Sequence, residues 1–362
     1  MEEREMETIK FAFVGCGRIA SRHANILSNI PEAQLVAVAD INPEKGERLS
    51  QRFQVPAFTD FREMLEKEEV DVVDILTPSG THGRVALEVM RRFNKHVLVE
   101  KPITLLLSEA YEMVQEAYKR GLFLITVVQN RFNLPVVKLR EALEAGRFGR
   151  LVLGSARLYW CRRQDYYDAD VWRGTWAVDG GVLANQACHY VDMLQWMMGP
   201  IDSIFAKSTR SLIKMEAEDT FVAVLKFRNG ALGTIEATVC ARPRDLEGAL
   251  TIIGERGTVE LGGFAMNKIN LWDFEEPEFG DSEVKEKYRE NPPDVYGFGH
   301  HQYLKGVVRY ILDQGDHVPY GLALGEEGVR SLEIIQAAYE SVEKGEEVVF
   351  PFTPVKSRLG VG

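Results

Sequence analysis

Two short stretches carry ionisable and polar side chains placed where they could meet a ligand and do acid–base chemistry. Glu100-Lys101-Pro102 sets an amine directly after the apolar run His96 to Val99. Asn185 and His189 stand four residues apart in the otherwise apolar stretch Val182 to Met198. On a helix that spacing puts both on one face, able to address one ligand. An imidazole titrates near neutrality and so can act as an acid or a base; a surface lysine is the competing reading of Lys101. Asp192, three residues past His189, stands where it could orient the ring; a satisfied core histidine is the competing reading of His189. A third stretch, Cys161 to Trp176, gathers Arg162, Arg163, Gln164, Tyr166, Tyr167, Trp172 and Arg173. Aromatic rings stack on a sugar or base, and guanidinium groups clamp carboxylate or phosphate; a domain-interface or oligomer loop is the alternative there. His300-His301 reads as no metal site, because adjacent residues rarely converge on one ion and no HExxH spacing exists. No metal is expected.

A fourth feature binds rather than reacts. Gly15-Cys16-Gly17-Arg18-Ile19-Ala20 follows the strand pattern Ile9 to Val14 and opens a helix pattern, Ile19 to Leu27. The first glycine permits a tight turn, the second lets the backbone approach a pyrophosphate, and Ala20 permits close helix–strand packing. Asp40 ends the next strand pattern, Leu35 to Ala39, at the distance where an acid meets ribose hydroxyls. It would repel a 2′-phosphate, and Ile41 and Asn42 offer no cation, so NAD is expected over NADP.

Elements that could position these residues follow from periodicity. Short apolar runs at Val70 to Leu76, His96 to Val99 and Leu122 to Val128 alternate with helix patterns at His82 to Arg92 and Ser108 to Arg120. Asn42-Pro43 reads as a helix cap. Strands buried on both faces and separated by helices predict a doubly wound parallel sheet. After Gly149 the strands lengthen and alternate: Leu151 to Trp160, then Phe221 to Phe227 and Ala231 to Val239 around Asn229-Gly230, a hairpin signal. Another hairpin, Leu250 to Ile253 with Thr258 to Leu261, turns at Glu255-Arg256-Gly257. A helix from Gly325 to Lys344 closes the chain, and the acidic stretch Phe274 to Pro293 reads as a surface excursion. The expected fold is α/β: a Rossmann domain over residues 1–128 and an α+β domain with a large open, mainly antiparallel sheet over residues 129–362.

Composition narrows the class. In 362 residues, 45% hydrophobic and 27% charged, a substantial core can form. The net charge of −11 disfavours nucleic acid as a partner, though local arginines could still bind a phosphorylated small molecule. Cys16, Cys161, Cys188 and Cys240 are far apart with no CxxC pair, which suggests a reducing compartment and no disulfide framework. The charged start MEEREMETIK resembles no signal peptide, and no apolar run suits a bilayer. A cytoplasmic protein without membrane partners is expected.

Taken in order, the GCGRIA turn, Thr77-Pro78 to His82, the EKPI motif, the GG…NQxxHYxD stretch and the closing YESVEKGE resemble the Gfo/Idh/MocA oxidoreductases across nearly the whole chain. The resemblance implies NAD as cofactor, with Gly15, Gly17, Arg18, Ile19, Asp40, Thr77, Pro78, His82, Glu100, Lys101, Gln129, Trp172 and Arg173 around it. It places Lys101 beside the nicotinamide and substrate and matches His189 to the family's histidine, whereas Asn185 stands where aspartate is common. The segments Gln129 to Asn133, WCRRQDYY and WRGTWAVDGG resemble the WlbA/WbpB branch, which also carries that asparagine. That branch implies oxidation of the 3-hydroxyl of UDP-N-acetylglucosaminuronate to the 3-keto sugar, for surface-polysaccharide biosynthesis. Lys101, His189 and Asn185 would be catalytic. Lys101, Arg131, Arg157, Arg163, Gln164, Tyr166, Asn185 and His189 would meet the UDP-sugar, with a homotetramer and recycling of the cofactor by 2-oxoglutarate. Alternatives are a UDP-N-acetylglucosamine 3-dehydrogenase, an inositol or polyol dehydrogenase, an NAD-dependent glycosidase, and a non-catalytic sugar or dinucleotide sensor, against which Lys101 and His189 argue.

Overall fold

The structure, a computed structural model, describes residues 8–292 and 294–361. Most of the charged N-terminal stretch and Pro293, the end of the acidic excursion, lie outside the described residues. Two compact units form: residues up to Val128 with His300–Val329, and Gln129–Gly299 with Arg330 onward.

In the first unit, strands and helices alternate: β1 (Ile9–Val14), α1 (Arg18–Leu27), β2 (Ala33–Ala39), α2 (Pro43–Phe53), β3 (Ala57–Phe58), α3 (Phe61–Lys67), β4 (Val72–Ile75), α4 (His82–Glu88), β5 (His96–Val99), α5 (Leu107–Arg120) and β6 (Leu124–Thr126). β4, β5 and β6 are short, mainly apolar and buried on both faces, as strands covered by helices must be, with Asp74 and Thr126 the buried polar exceptions. The Asn42 side chain accepts from the Glu44 and Lys45 N–H groups and so starts α2. The pattern expected to run helically to Arg92 leaves the α geometry after Glu88 and finishes as a wider π turn, Val89–Phe93.

The remaining elements are α6 (Leu134–Glu144), β7 (Leu151–Tyr159), α7 (Gln164–Asp168), α8 (Cys188–Met198), β8 (Ile201–Thr209), β9 (Thr220–Phe227), β10 (Leu232–Thr238), β11 (Glu247–Gly254), β12 (Gly257–Gly262), β13 (Lys268–Phe274), α9 (Val284–Lys287), α10 (Gly299–Leu312), β14 (Ala323–Leu324), α11 (Glu326–Lys344) and β15 (Val348–Val349). The seven-stranded sheet has the order β14-β6-β5-β4-β1-β2-β3, parallel except for β14. Its order reverses between β1 and β4, the switch point at which doubly wound sheets bind ligands beyond their strand ends. Residues 300–329 were expected in the second domain. They pack with the first unit instead, because β14 pairs with β6 and the Tyr303 hydroxyl donates to the Thr126 carbonyl at 2.6 Å.

The second unit is built on an eight-stranded sheet, β13-β12-β11-β7-β10-β9-β8-β15, in which only the β7–β10 pair is parallel. The expected hairpins form: Gly230 takes φ +88° in the β9–β10 turn, a conformation that glycine adopts without strain. Residues of β7 alternate across the sheet. Ala156 and Leu158 are buried on the face covered by α8, where Leu194 and Met198 crowd Gly154, while Ser155, Arg157 and Tyr159 point the other way. Asp281, inside the acidic excursion, is tied to the unit by Arg147 and by the Trp272 indole. Among the described residues no helix is long and apolar enough to cross a membrane, and the four cysteines are free thiols.

Candidate active site

The dinucleotide turn has the geometry its sequence demands. Gly15 sits at φ +102°, and a Cβ there would lie 2.7 Å from the Leu76 backbone. Gly17 differs: a Cβ would meet nothing within 4 Å, leaving open space over the first turn of α1, whose N-terminal N–H groups have no side-chain cap. A phosphate fits such a helix start. Arg18 is exposed and Ile19 half-buried at that turn. The Asp40 carboxylate accepts from the Cys16 N–H at 2.7 Å and the Asn42 N–H at 2.8 Å, which aims it along the end of β2. Ile41 beside it is 94% exposed and brings no cation. The chain therefore fits an NAD adenosine and pyrophosphate.

Gly15, Asp40, Thr77 and Lys101 follow β1, β2, β4 and β5 respectively, so all four stand at the carboxyl edge of one parallel sheet. Thr77 is half-buried and its hydroxyl accepts from Thr81, and Pro78 is also half-buried. Two residues expected around the cofactor turn inward instead. His82 is wholly buried, with one ring nitrogen 2.9 Å from the Pro102 carbonyl and the other 2.7 Å from that of Thr77. Both polar atoms are used in joining the Thr77 and Pro102 loops, so His82 is a strut. Glu100 is likewise buried: one oxygen faces His23 at 3.3 Å and the other accepts the Lys101 N–H at 3.2 Å.

In the second unit, the stretch expected as one helix from Val182 to Met198 is a π turn, Val182–Gln186, followed by α8 from Cys188. Ala187 donates to the Val182 carbonyl five residues back, which widens the turn and breaks the plain i,i+4 relation between Asn185 and His189. Different partners hold the two. Asn185 donates to Asp179, whose second oxygen accepts the Gly174 N–H at 2.7 Å. The His189 Nε2 lies 3.2 Å from the Gln129 amide nitrogen. Asp192 was expected to orient the imidazole, but Arg131 takes both its oxygens at 2.8 and 2.7 Å.

The start of the π turn is held by groups the sequence does not advertise. Glu218 accepts the Leu183 N–H at 3.0 Å and the Tyr339 hydroxyl at 2.9 Å, and that hydroxyl in turn accepts from Gly181 and Ala184. Burial pushes the Glu218 carboxyl up to about 7, against hydrogen bonds that hold it down. Asp179, Glu218 and Tyr339 thus carry Asn185. The only local signal was an acid preceding Gly180-Gly181; that Glu218 and Tyr339 meet it is a long-range event.

The arginines sort by burial. Arg131 was expected to meet the UDP-sugar, yet its side chain is inaccessible, paired with Asp192 and stacked on Trp196. Arg157, also expected there, emerges on the sheet face away from α8 and pairs with Glu247 at 3.0 Å and Glu260 at 3.4 Å. It is therefore across the sheet from His189. Arg162 pairs with Asp245. Arg173 pairs with Asp170 and lies over the rings of Tyr166 and Trp172, at 4.3 and 4.7 Å from their centroids. Gln164 grips the Lys214 backbone through both ends of its amide. Arg163 is the exposed arginine of the loop. His300, set aside as half of a metal pair, has a ligand atom within 4.8 Å of those of His23 and Glu100.

Comparison with known proteins agrees with this geometry. Residues 9–127 match the oxidoreductase family with an NAD-binding Rossmann fold, and residues 136–260 match the GFO/IDH/MocA C-terminal domain. The chain is similar to the WlbA dehydrogenase of Bordetella pertussis, solved with NADH and UDP-GlcNAcA: 38% identity, TM-score 0.90, covering 96% of this chain and 99% of that one. It is also 38% identical to the Chromobacterium violaceum WlbA, solved with the same pair, with TM-score 0.88 over 96% of this chain and 97% of that one. The myo-inositol 2-dehydrogenase of Thermotoga maritima is 26% identical over 354 residues, 94% of this chain and 98% of that protein. The chain belongs to the GFO/IDH/MocA oxidoreductases and is an NAD-dependent sugar or polyol dehydrogenase of that family.

Proposed function

We propose that this enzyme oxidises the 3-hydroxyl of UDP-N-acetyl-D-glucosaminuronate to the 3-keto sugar, in the making of surface-polysaccharide sugars. The observation that carries this reading is the 38% identity, over nearly the whole of both chains, to a dehydrogenase solved with NADH and that nucleotide sugar. Bound NAD supplies the hydride acceptor. His189, held by Gln129, takes the hydroxyl proton. The Lys101 ammonium favours the developing alkoxide. Asn185, clamped to Asp179, hydrogen-bonds and orients the sugar. Thr77, Pro78, Trp172 and Arg173 line the cofactor, and Arg163, Gln164 and Tyr166 meet the nucleotide sugar. Arg163, exposed in the loop, is the guanidinium best suited to an anionic group.

The test is incubation with NAD and UDP-GlcNAcA, UDP-GlcNAc or myo-inositol in turn, following reduced nicotinamide. Turnover with the uronate alone supports the reading. Turnover with myo-inositol alone favours the second reading, a polyol dehydrogenase, which the Thermotoga maritima likeness supports. Single-turnover reduction that becomes continuous on adding 2-oxoglutarate would assign the recycling step.

We also propose that the enzyme is a homotetramer in which the open face of the eight-stranded sheet is covered by a second copy. That face exposes Phe205 on β8, Val222 and Val224 on β9, and Leu232 on β10, on neighbouring strands in register.

A further inference from the structure

Beneath the carboxyl edge of the parallel sheet lies a buried chain of charges that the mechanism above does not use. His23, on α1, is wholly inaccessible. Its Nδ1 lies 2.7 Å from an Asp74 oxygen on β4, and its Nε2 lies 3.3 Å from a Glu100 oxygen at the end of β5. The other Glu100 oxygen accepts the backbone N–H of Lys101 at 3.2 Å. Three ionisable groups in a dry site are poor stabilisers, since well-packed apolar residues of similar volume would hold the same strands as well or better. What apolar residues could not do is fix the backbone from which Lys101 projects.

We propose that His23 and Asp74 are positioning residues for Lys101, acting through Glu100: the imidazole aligns the Glu100 carboxylate, and that carboxylate sets the peptide at Lys101. The inference rests on the role proposed above for Lys101. Each link is needed for a stated reason. A carboxylate has two oxygens, so Glu100 can face His23 with one and hold Lys101 with the other. His23 lies between two carboxylates: Nδ1 hydrogen-bonds Asp74, while Nε2 faces Glu100 as an ion pair outside hydrogen-bond geometry, and both carboxylates favour the protonated ring. Burial by itself would lower its pKa, but Asp74 and Glu100 more than reverse this and push it up to about 10. Burial raises the Glu100 carboxyl, and His23 together with Lys101 outweighs that, so Glu100 stays ionised. The charged and titratable groups around this chain are few. Asp74, Glu100 and His300, on α10, face His23; His23, Lys101 and His82, on α4, interact with Glu100.

His23→Gln and Glu100→Gln test the chain, with Lys101→Ala in parallel. In His23→Gln the two buried carboxylates lose the cation they share, the Glu100 carboxyl moves up and is no longer held toward the ring, and kcat falls by about 10²-fold, the scale of a small misplacement of a catalytic group. Any part of that loss that comes from protonation of Glu100 lessens as pH rises. Glu100→Gln keeps the balanced His23–Asp74 pair and therefore folds, but it offers one acceptor for two donors. Its kcat falls on the same scale and does not recover at high pH. In both, NADH affinity, read by fluorescence titration of the variant, stays at the wild-type value. Wild-type kcat in folded Glu100→Gln, beside a collapsed Lys101→Ala, overturns the inference and leaves the Lys101 role standing. Wild-type kcat in Lys101→Ala overturns the Lys101 role itself. The spacing of His23, Glu100 and His300 also makes elemental analysis of the purified enzyme decisive: a stoichiometric divalent ion lost in His23→Gln would overturn the protonated chain.

Discussion

At the scale of single residues, two glycines two positions apart do different jobs. Gly15 is required by the fold, since its φ of +102° and the Leu76 backbone leave no room for a Cβ. Gly17 faces open space, so its missing side chain matters only when a ligand arrives. Gly15→Ala should therefore lower Tm, while Gly17→Ala should keep Tm and weaken NADH binding; calorimetry and fluorescence titration on the same preparations check both. Asp40 sets the choice of cofactor. NAD should bind at least about tenfold tighter than NADP, a difference of about 1.4 kcal/mol, and Asp40→Ser should narrow that gap in calorimetric titrations. Equal affinities in the wild type would remove Asp40 from cofactor selection. His189→Ala and Lys101→Ala should each lower kcat by about 10²–10⁴-fold, the usual scale of lost proton-transfer assistance, with NAD affinity preserved. A folded His189→Ala enzyme of full activity, less stable than the wild type, would mean that His189 is a core residue held by Gln129.

At the scale of elements, the π turn Val182–Gln186 depends on Glu218, which lies outside it and bonds its N-terminus. The folded Glu218 value of about 7 stands above the ordinary 4.5, because burial outweighs the bonds from Leu183 and Tyr339. A group raised in this way contributes stability that is complete below its unfolded value and is lost as pH rises through its folded value. Wild-type stability should therefore decline from about pH 5 to about pH 8, by up to roughly 3 kcal/mol from this group. Glu218→Gln should flatten that decline. Thermal melts across the range test it, and parallel curves for variant and wild type would show that Glu218 ionises as freely folded as unfolded. Much of this element was legible in outline: apolar residues from Val182 to Met198 mark a buried helix. The break at Ala187 was not, because a π turn arises from bonds at its ends and from packing, neither of which alters the local periodicity.

At the scale of the whole molecule, one face of the eight-stranded sheet is covered by α8 and the other carries Phe205, Val222, Val224 and Leu232 in the open. A row of apolar side chains on adjacent strands is a surface that association would bury. Val224→Glu combined with Leu232→Glu should lower the molar mass measured by light scattering, because four charges for every pair of copies cannot be desolvated in an interface without partners. An unchanged mass would place the subunit contacts elsewhere. Arg157 belongs to this face, between Glu247 and Glu260, so Arg157→Ala should leave sugar affinity in the monomeric unit unaffected.

By itself the sequence determined what short-range rules decide. The GxGxxA turn, Asp40 after the second strand, the alternation of apolar runs with helices, and the hairpin at Asn229-Gly230 each depend on neighbours within a few residues, and each stands where the pattern put it. The tertiary structure decided which charges are spent inside the protein. Arg131 and Arg157 read alike in the sequence, as cations near sugar-site motifs, but one closes on Asp192 in the interior and the other on two sheet carboxylates. His82 and Glu100 likewise lie in cofactor motifs and face inward. The same holds for residues 300–329, whose strand β14 returns to β6 nearly two hundred positions earlier in the chain. A charge becomes structural when a distant partner of opposite sign is folded against it, and no local window of sequence contains that partner.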